Sequence, residues 1–179
     1  MEASQDALTI YTIGHGNVTD QELLRLLANY EIKVLLDVRS VPYSQYTHQF
    51  NRELLSQTLG TAGIDYRFAG DYLGGRPKDP TCYKNGELPE GKANYLDLVD
   101  YREVAKRPWY LKAINRLLMI ATEQRTILMC SEEDPYRCHR HHLVAQTLLE
   151  KDIAVVHVRA NGRSEPAKVN QEPQQLSLI

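Results

Sequence analysis

Four short clusters in the chain combine acid, base, thiol and cation: Gly14-His15-Gly16, Asp37-Val38-Arg39-Ser40, Cys130-Ser131-Glu132-Glu133 and Cys138-His139-Arg140. Asp37 closes an apolar run, KVLLDV at 33–38. A carboxylate in that position must be solvated, paired or functional, because burying it alone is costly. As a functional group it is a candidate general base or nucleophile. Arg39, two residues on and on the same side of an extended chain, would clamp a phosphate or carboxylate. The structural alternative is an Asp37–Arg39 pair that pins the end of the strand. Glu132 supplies a second carboxylate, and two carboxylates facing one cavity support acid–base or nucleophilic work at a glycosidic or similar centre. His15 is a candidate acid or base, or else a turn residue bonded to backbone. Cys138 is expected in the first turn of a helix, where the helix N-terminus lowers a thiol pKa and attracts anions, with Arg137 and Arg140 beside it. Cys130 is either its resolving partner or a small core residue. The run Cys138-His139-Arg140-His141-His142 invites a metal, but consecutive helical residues fan out about 100° apart and cannot all meet one ion. No metal and no cofactor is expected; His and Arg near a helix N-terminus suit an anion better.

These clusters need a frame that brings them together. Leu8–Ile13 is a β-rich run followed by a Gly-His-Gly-Asn turn, and Thr19 with Glu22 three residues on forms a capping box ahead of a helix over 20–30. Lys33–Val38 reads as a continuous apolar strand of the kind buried in a parallel sheet. Helices are expected over 51–59, 95–105, 109–122 and about 135–150, and strands over 64–68, 126–130 and 153–158. Residues 69–92, rich in Gly, Pro, Asp and Lys, read as one long loop of the kind that lids a site. Strands alternating with helices predict an α/β three-layer sandwich with a mostly parallel, Rossmann-like sheet over 8–159. Ligands of such sheets bind where strand C-termini meet loops, which is where the first three clusters fall. A polar segment with two prolines over 160–174 predicts a flexible tail over 160–179.

Composition narrows the function. The 179 residues carry 42% hydrophobic and 25% charged side chains, the balance of a folded globular chain. No apolar run approaches the roughly 18 residues of a membrane span, and the acidic, polar start MEASQDALTI is unlike a secretory signal. Three cysteines argue against a disulfide scaffold, so a cytoplasmic protein is expected. The net charge of −2 argues against non-specific DNA binding. It is unevenly spread, with residues 1–101 at −5 and 102–168 at +4, so the second half suits a phosphate-bearing ligand or is a solvated helix surface.

The clusters also occur in a recognisable order. Thr12-Ile13-Gly14-His15-Gly16, then Asp37-Val38-Arg39 with Pro42 and Ser44, then Leu73-Gly74-Gly75, then Met129-Cys130-Ser131-Glu132 followed by Cys138-His139-Arg140, resembles the bacterial and archaeal family of domain of unknown function 488 over roughly residues 8–159. The resemblance implies an α/β domain with a pocket at the strand ends. Asp37, Glu132, His15 and Cys138 are then its candidate catalytic groups. Arg39, Ser44, Gly74, Gly75, Ser131, His139 and Arg140 are its candidate substrate-binding positions. The final residues Gln175-Leu176-Ser177-Leu178-Ile179 are similar to the peptide by which bacterial DNA polymerases and repair proteins bind the sliding clamp, with Gln175, Leu176, Leu178 and Ile179 as the contacts. Tethering to a DNA-encircling ring would raise the effective concentration of a near-neutral domain at DNA. The leading expectation is therefore a hydrolytic enzyme acting on a nucleotide or nucleic-acid component in DNA maintenance, with Tyr66, Tyr72 and the 69–92 loop stacking on a base. The alternatives are thiol-based redox or transfer chemistry at Cys138, and a non-catalytic adaptor that binds a small anion.

Overall fold

Successive residues of the central strands enter different cores. Leu35, Ile127 and Met129 pack on one side of the sheet, and Val34, Leu36 and Leu128 on the other. Strands buried on both faces need helices on both faces, and the computed structural model, which describes residues 8–171, has that arrangement. The first side is covered by α1 (Asp20–Asn29) and α2 (Arg52–Thr61) through Leu23, Leu26, Leu27, Leu55 and Leu59. The other is covered by α5 (Tyr101–Ala105), α6 (Pro108–Glu123) and α7 (Gln146–Leu149) through Val104, Tyr110, Ile114, Leu117 and Leu148. The expected α/β sandwich is the fold.

The strands are β1 (Thr9–Gly14), β2 (Val34–Asp37), β3 (Asp65–Phe68), β4 (Thr126–Cys130), β5 (Ala154–Val158) and β6 (Ser164–Pro166), in the spatial order β3-β2-β4-β1-β5-β6. All pairings are parallel except β5 with β6. The chain first winds outward from β1 to β3, then returns through β4 and leaves in the other direction through β5. The reversal puts the C-terminal ends of β2, β4 and β1 side by side, with Gly14 opposite Cys130 and Asp37 opposite Met129. A crevice at such a reversal is the usual ligand position in an open parallel sheet.

Several expectations shift in detail. Thr19 and Glu22 form the capping box on α1 as predicted. The helix expected over 95–105 is two, α4 (Tyr95–Leu98) and α5, because the Asp100 side chain accepts from the backbone N–H groups of Arg102 and Glu103 and starts a new helix. The 69–92 stretch holds α3 (Gly70–Leu73), a 3-10 turn at Pro80–Cys82 and a bridge from Tyr83 to Val99. The helix expected from about 135 starts later. Asp134 caps only a 3-10 turn, Pro135–Arg137; Cys138 is extended; and a π-helical stretch, Arg140–Ala145, leads into α7. Ser164–Pro166, inside the segment read as flexible, pairs with β5, and Asn170 Oδ1 lies 3.0 Å from His141 Nε2. The clamp-like residues Gln175, Leu176, Leu178 and Ile179 lie outside the described residues.

Gly14 is required where β1 meets the 131–133 loop. A Cβ there would lie 1.6 Å from the carbonyl oxygen of Glu132. Backbone on both sides leaves little room to yield, so Gly14→Ala is expected to cost about 3 kcal/mol or more, at the upper end of overpacking effects. Urea unfolding of the purified variant measures this; an unchanged midpoint would mean that the loop is free to move off β1.

Candidate active site

The ends of β2 and β4 and the Cys138–Arg140 turn enclose an open cleft of about 250 Å³. Cys130, Cys138 and His139 line it, together with Ser131 and Glu132 from the loop after β4. Arg39 and Ser40 come from the loop after β2, and Gly75 and Arg76 from the segment after α3. Asn94, Tyr95 and Tyr101 close its far side, with the Arg76 guanidinium 4.6 Å from the centre of the Tyr95 ring.

One chemical group dominates the cleft. The sulfurs of Cys130 and Cys138 lie 3.8 and 3.7 Å from Nδ1 of His139. The opposite ring nitrogen, Nε2, is 3.0 Å from the carbonyl oxygen of Val38, which can only accept. Nε2 therefore carries a proton, and Nδ1 faces both sulfurs. Gly75 makes room for the ring: a Cβ at that position would be 2.7 Å from His139 Cγ. The two thiols are driven apart in acidity. Hydrogen bonding to Cys138 and then burial push the Cys130 thiol well above its ordinary value. For Cys138 burial opposes ionisation, but the hydrogen bond from Cys130 and the fields of His139 and Arg140 prevail, and its pKa lies well below the ordinary value. Of the two, Cys138 is the stronger acid.

The charged residues around it have structural partners. Asp37 is fully buried, and its oxygens accept from Arg39 Nε at 2.9 Å, Arg39 Nη2 at 2.6 Å and Tyr66 Oη at 2.8 Å. Arg39 Nη2 also donates to the Phe50 carbonyl at 2.8 Å. The pair pins the end of β2, and Asp37 does not line the cleft that Glu132 lines; the two carboxylates do not face each other across it. His15 sits behind Arg39, its Nδ1 2.9 Å from the Gly16 carbonyl and its ring on Phe50. Burial brings its pKa down to about 4, so it is neutral at pH 7. Arg140 is fully buried and donates to the carbonyls of Glu132 and Glu133, which shapes the loop after β4. Ser44 caps a turn by accepting from the N–H groups of Tyr46 and Thr47. Gly74 packs on Ser40. Tyr66 is bound to Asp37, and Tyr72 opens into a separate groove beside α6.

Residues 19–148 match the family model described as domain of unknown function DUF488. The chain belongs to this family. No curated protein and no solved structure matches it. Of the DUF488 positions singled out in the sequence, Arg39, Gly75, Ser131, Glu132, Cys138 and His139 line the cleft. Asp37, His15, Ser44, Gly74 and Arg140 lie behind it, in the framework. Sequence reasoning missed Arg76, Asn94, Tyr95 and Tyr101, which arrive from the long connection between β3 and β4. The only signal was the length and composition of that connection. No helix among the described residues is long and apolar enough to cross a membrane.

Proposed function

We propose that this DUF488 protein is an enzyme of thiol chemistry, with Cys138 as nucleophile, acting on a small anionic substrate. The observation that carries this reading is the convergence of two sulfurs on one oriented imidazole nitrogen at the floor of an open polar cleft. Cys138 Sγ forms a bond to an electrophilic centre of the substrate, and the leaving group departs with the electrons of the broken bond. Cys130 S–H steadies the thiolate beforehand. Arg76 and Arg137 at the cleft favour a phosphate or carboxylate. A volume of about 250 Å³ suits a small molecule or the anionic end of a larger one, such as a nucleotide. The two-carboxylate hydrolysis expected from the sequence has less support, since Asp37 is saturated by Arg39 and Tyr66.

Limited alkylation with iodoacetamide at pH 7 in the presence of a chelator, read by peptide mass spectrometry, tests the reading. Cys138 is expected to label on the order of tenfold faster than Cys82 or Cys130. Labelling of Cys138 no faster than Cys82, which is buried and does not line the cleft, would overturn it.

A further inference from the structure

The three atoms at the cleft floor have a second property. Cys130 Sγ, Cys138 Sγ and His139 Nδ1 all lie within 4.8 Å of one another. A tetrahedral zinc ion holds sulfur at about 2.3 Å and imidazole nitrogen at about 2.0–2.1 Å, which sets those atoms about 3.6 Å apart. The observed separations of 3.7 and 3.8 Å are within a small adjustment of that edge. The imidazole is prepared as a metal ligand is: its far nitrogen donates to a backbone carbonyl, here Val38, which fixes the tautomer and aims the lone pair. Gly75 leaves the ring the room that any side chain there would take. Two sulfurs and one nitrogen with no carboxylate among them form a soft donor set, which selects zinc over magnesium or calcium.

We propose that Cys130, Cys138 and His139 bind a zinc-class divalent cation through three protein ligands, leaving the fourth position open to the cleft. Three ligands and an open position characterise reactive zinc centres; structural ones are closed by four. On binding, any proton still held by the two thiols passes to solvent, and two thiolates balance the charge of the ion. The fourth position faces Ser131, Glu132 and Arg137, where water or a small anion would complete the tetrahedron. The inference rests on the thiol reading in one respect, that this cluster is the reactive centre. It adds that the metal occupies the same sulfur, so that bound zinc and alkylation of Cys138 exclude each other.

The full chain, stripped with a chelator and dialysed, is titrated with cobalt(II) as a spectroscopic stand-in for zinc. The expected result is one cobalt per chain, with a thiolate-to-metal band in the near ultraviolet, visible bands of tetrahedral intensity, and displacement of both by zinc. Cys130→Ser and His139→Ala are expected to weaken binding at least tenfold, whereas Cys82→Ser leaves it unchanged. Zinc is expected to slow alkylation of Cys138 at least tenfold in the unmodified chain. Absence of the thiolate band in the unmodified chain, which needs no variant to fold, overturns the metal site; so does an identical band in Cys130→Ser. If the band is absent and chelated Cys138 still labels fast, the metal fails and the thiol reading stands. If the band is present and chelated Cys138 labels slowly, the thiol reading fails and the metal stands.

Discussion

Arg39→Met is expected to destabilise the protein by about 3–5 kcal/mol, the usual cost of removing one partner of a buried ion pair. Arg39 is 3% exposed and Asp37 fully buried. Removing the guanidinium leaves the carboxylate with the Tyr66 hydroxyl and the Arg39 N–H as donors, and leaves the Phe50 carbonyl without its Nη2 donor. A protein of this size has only about 5–15 kcal/mol of net stability, so the loss is a large share. Asp37→Asn is expected to cost a similar amount, because it sets an uncompensated guanidinium in the same apolar surroundings. The double variant should cost less than the sum of the two, since no lone charge remains. Urea unfolding of the three variants tests the pair. Additive effects would show that the two charges do not interact, and would return Asp37 to the candidates for chemistry.

Acid is the second large lever. His15 and His157 are 3% and 0% exposed, and burial is the main cause that lowers their pKa values to about 4 and about 3. Arg39 and Arg140 add repulsion at His15, and Arg140, His141 and Arg159 at His157. In the unfolded chain each imidazole titrates near 6.5. Between 6.5 and the folded values the unfolded state therefore binds more protons, so stability is complete above about pH 7 and is lost as pH falls. At pH 5 the unfolded value lies about 1.5 units above the solution, which corresponds to about 2 kcal/mol per histidine and about 4 kcal/mol for the two. Urea midpoints at pH 8, 6 and 5 should fall in that order, and His157→Asn should flatten the dependence by about half. A midpoint constant from pH 8 to 5 would contradict the neutral, enclosed imidazoles. The arrangement around His157 accounts for the sensitivity. Its Nδ1 is 2.7 Å from Thr12 Oγ1 and its Nε2 is 3.0 Å from His141 Nδ1, so a polar chain crosses from β1 through β5 to the π-helical turn.

These two results bear on how the site is built. The Asp37–Arg39 pair and the buried His15 pack at the strand ends, while the groups proposed to react sit on the loop after β4 and on the turn from Cys138. A π-helical stretch begins within two residues of Cys138, and such stretches are frequent at functional sites. Arg140, anchored in it, ties the turn that carries Cys138 and His139 to the Glu132 and Glu133 carbonyls of the loop that carries Ser131 and Glu132.

Local sequence was enough for the five parallel strands, most helices, the capping box at Thr19 and the placement of Cys130 and Asp37 at strand ends, because hydrophobic period and cap chemistry act over a few residues. It also located the edge of the sheet at which a ligand would bind, since that follows from element order. It left open whether Asp37 reacts or is paired, because the answer depends on Tyr66 and Phe50, which are distant in sequence. It sought metal ligands along one helix, and so did not bring Cys130, at a strand end, together with His139. Which carboxylate is saturated, which thiol ionises and which nitrogen of His139 is free are decided by contacts between segments up to about a hundred residues apart, such as His139 with Val38. Charge, burial and hydrogen-bond partners at a site are properties of neighbours in space, and those neighbours exist only once the chain has folded.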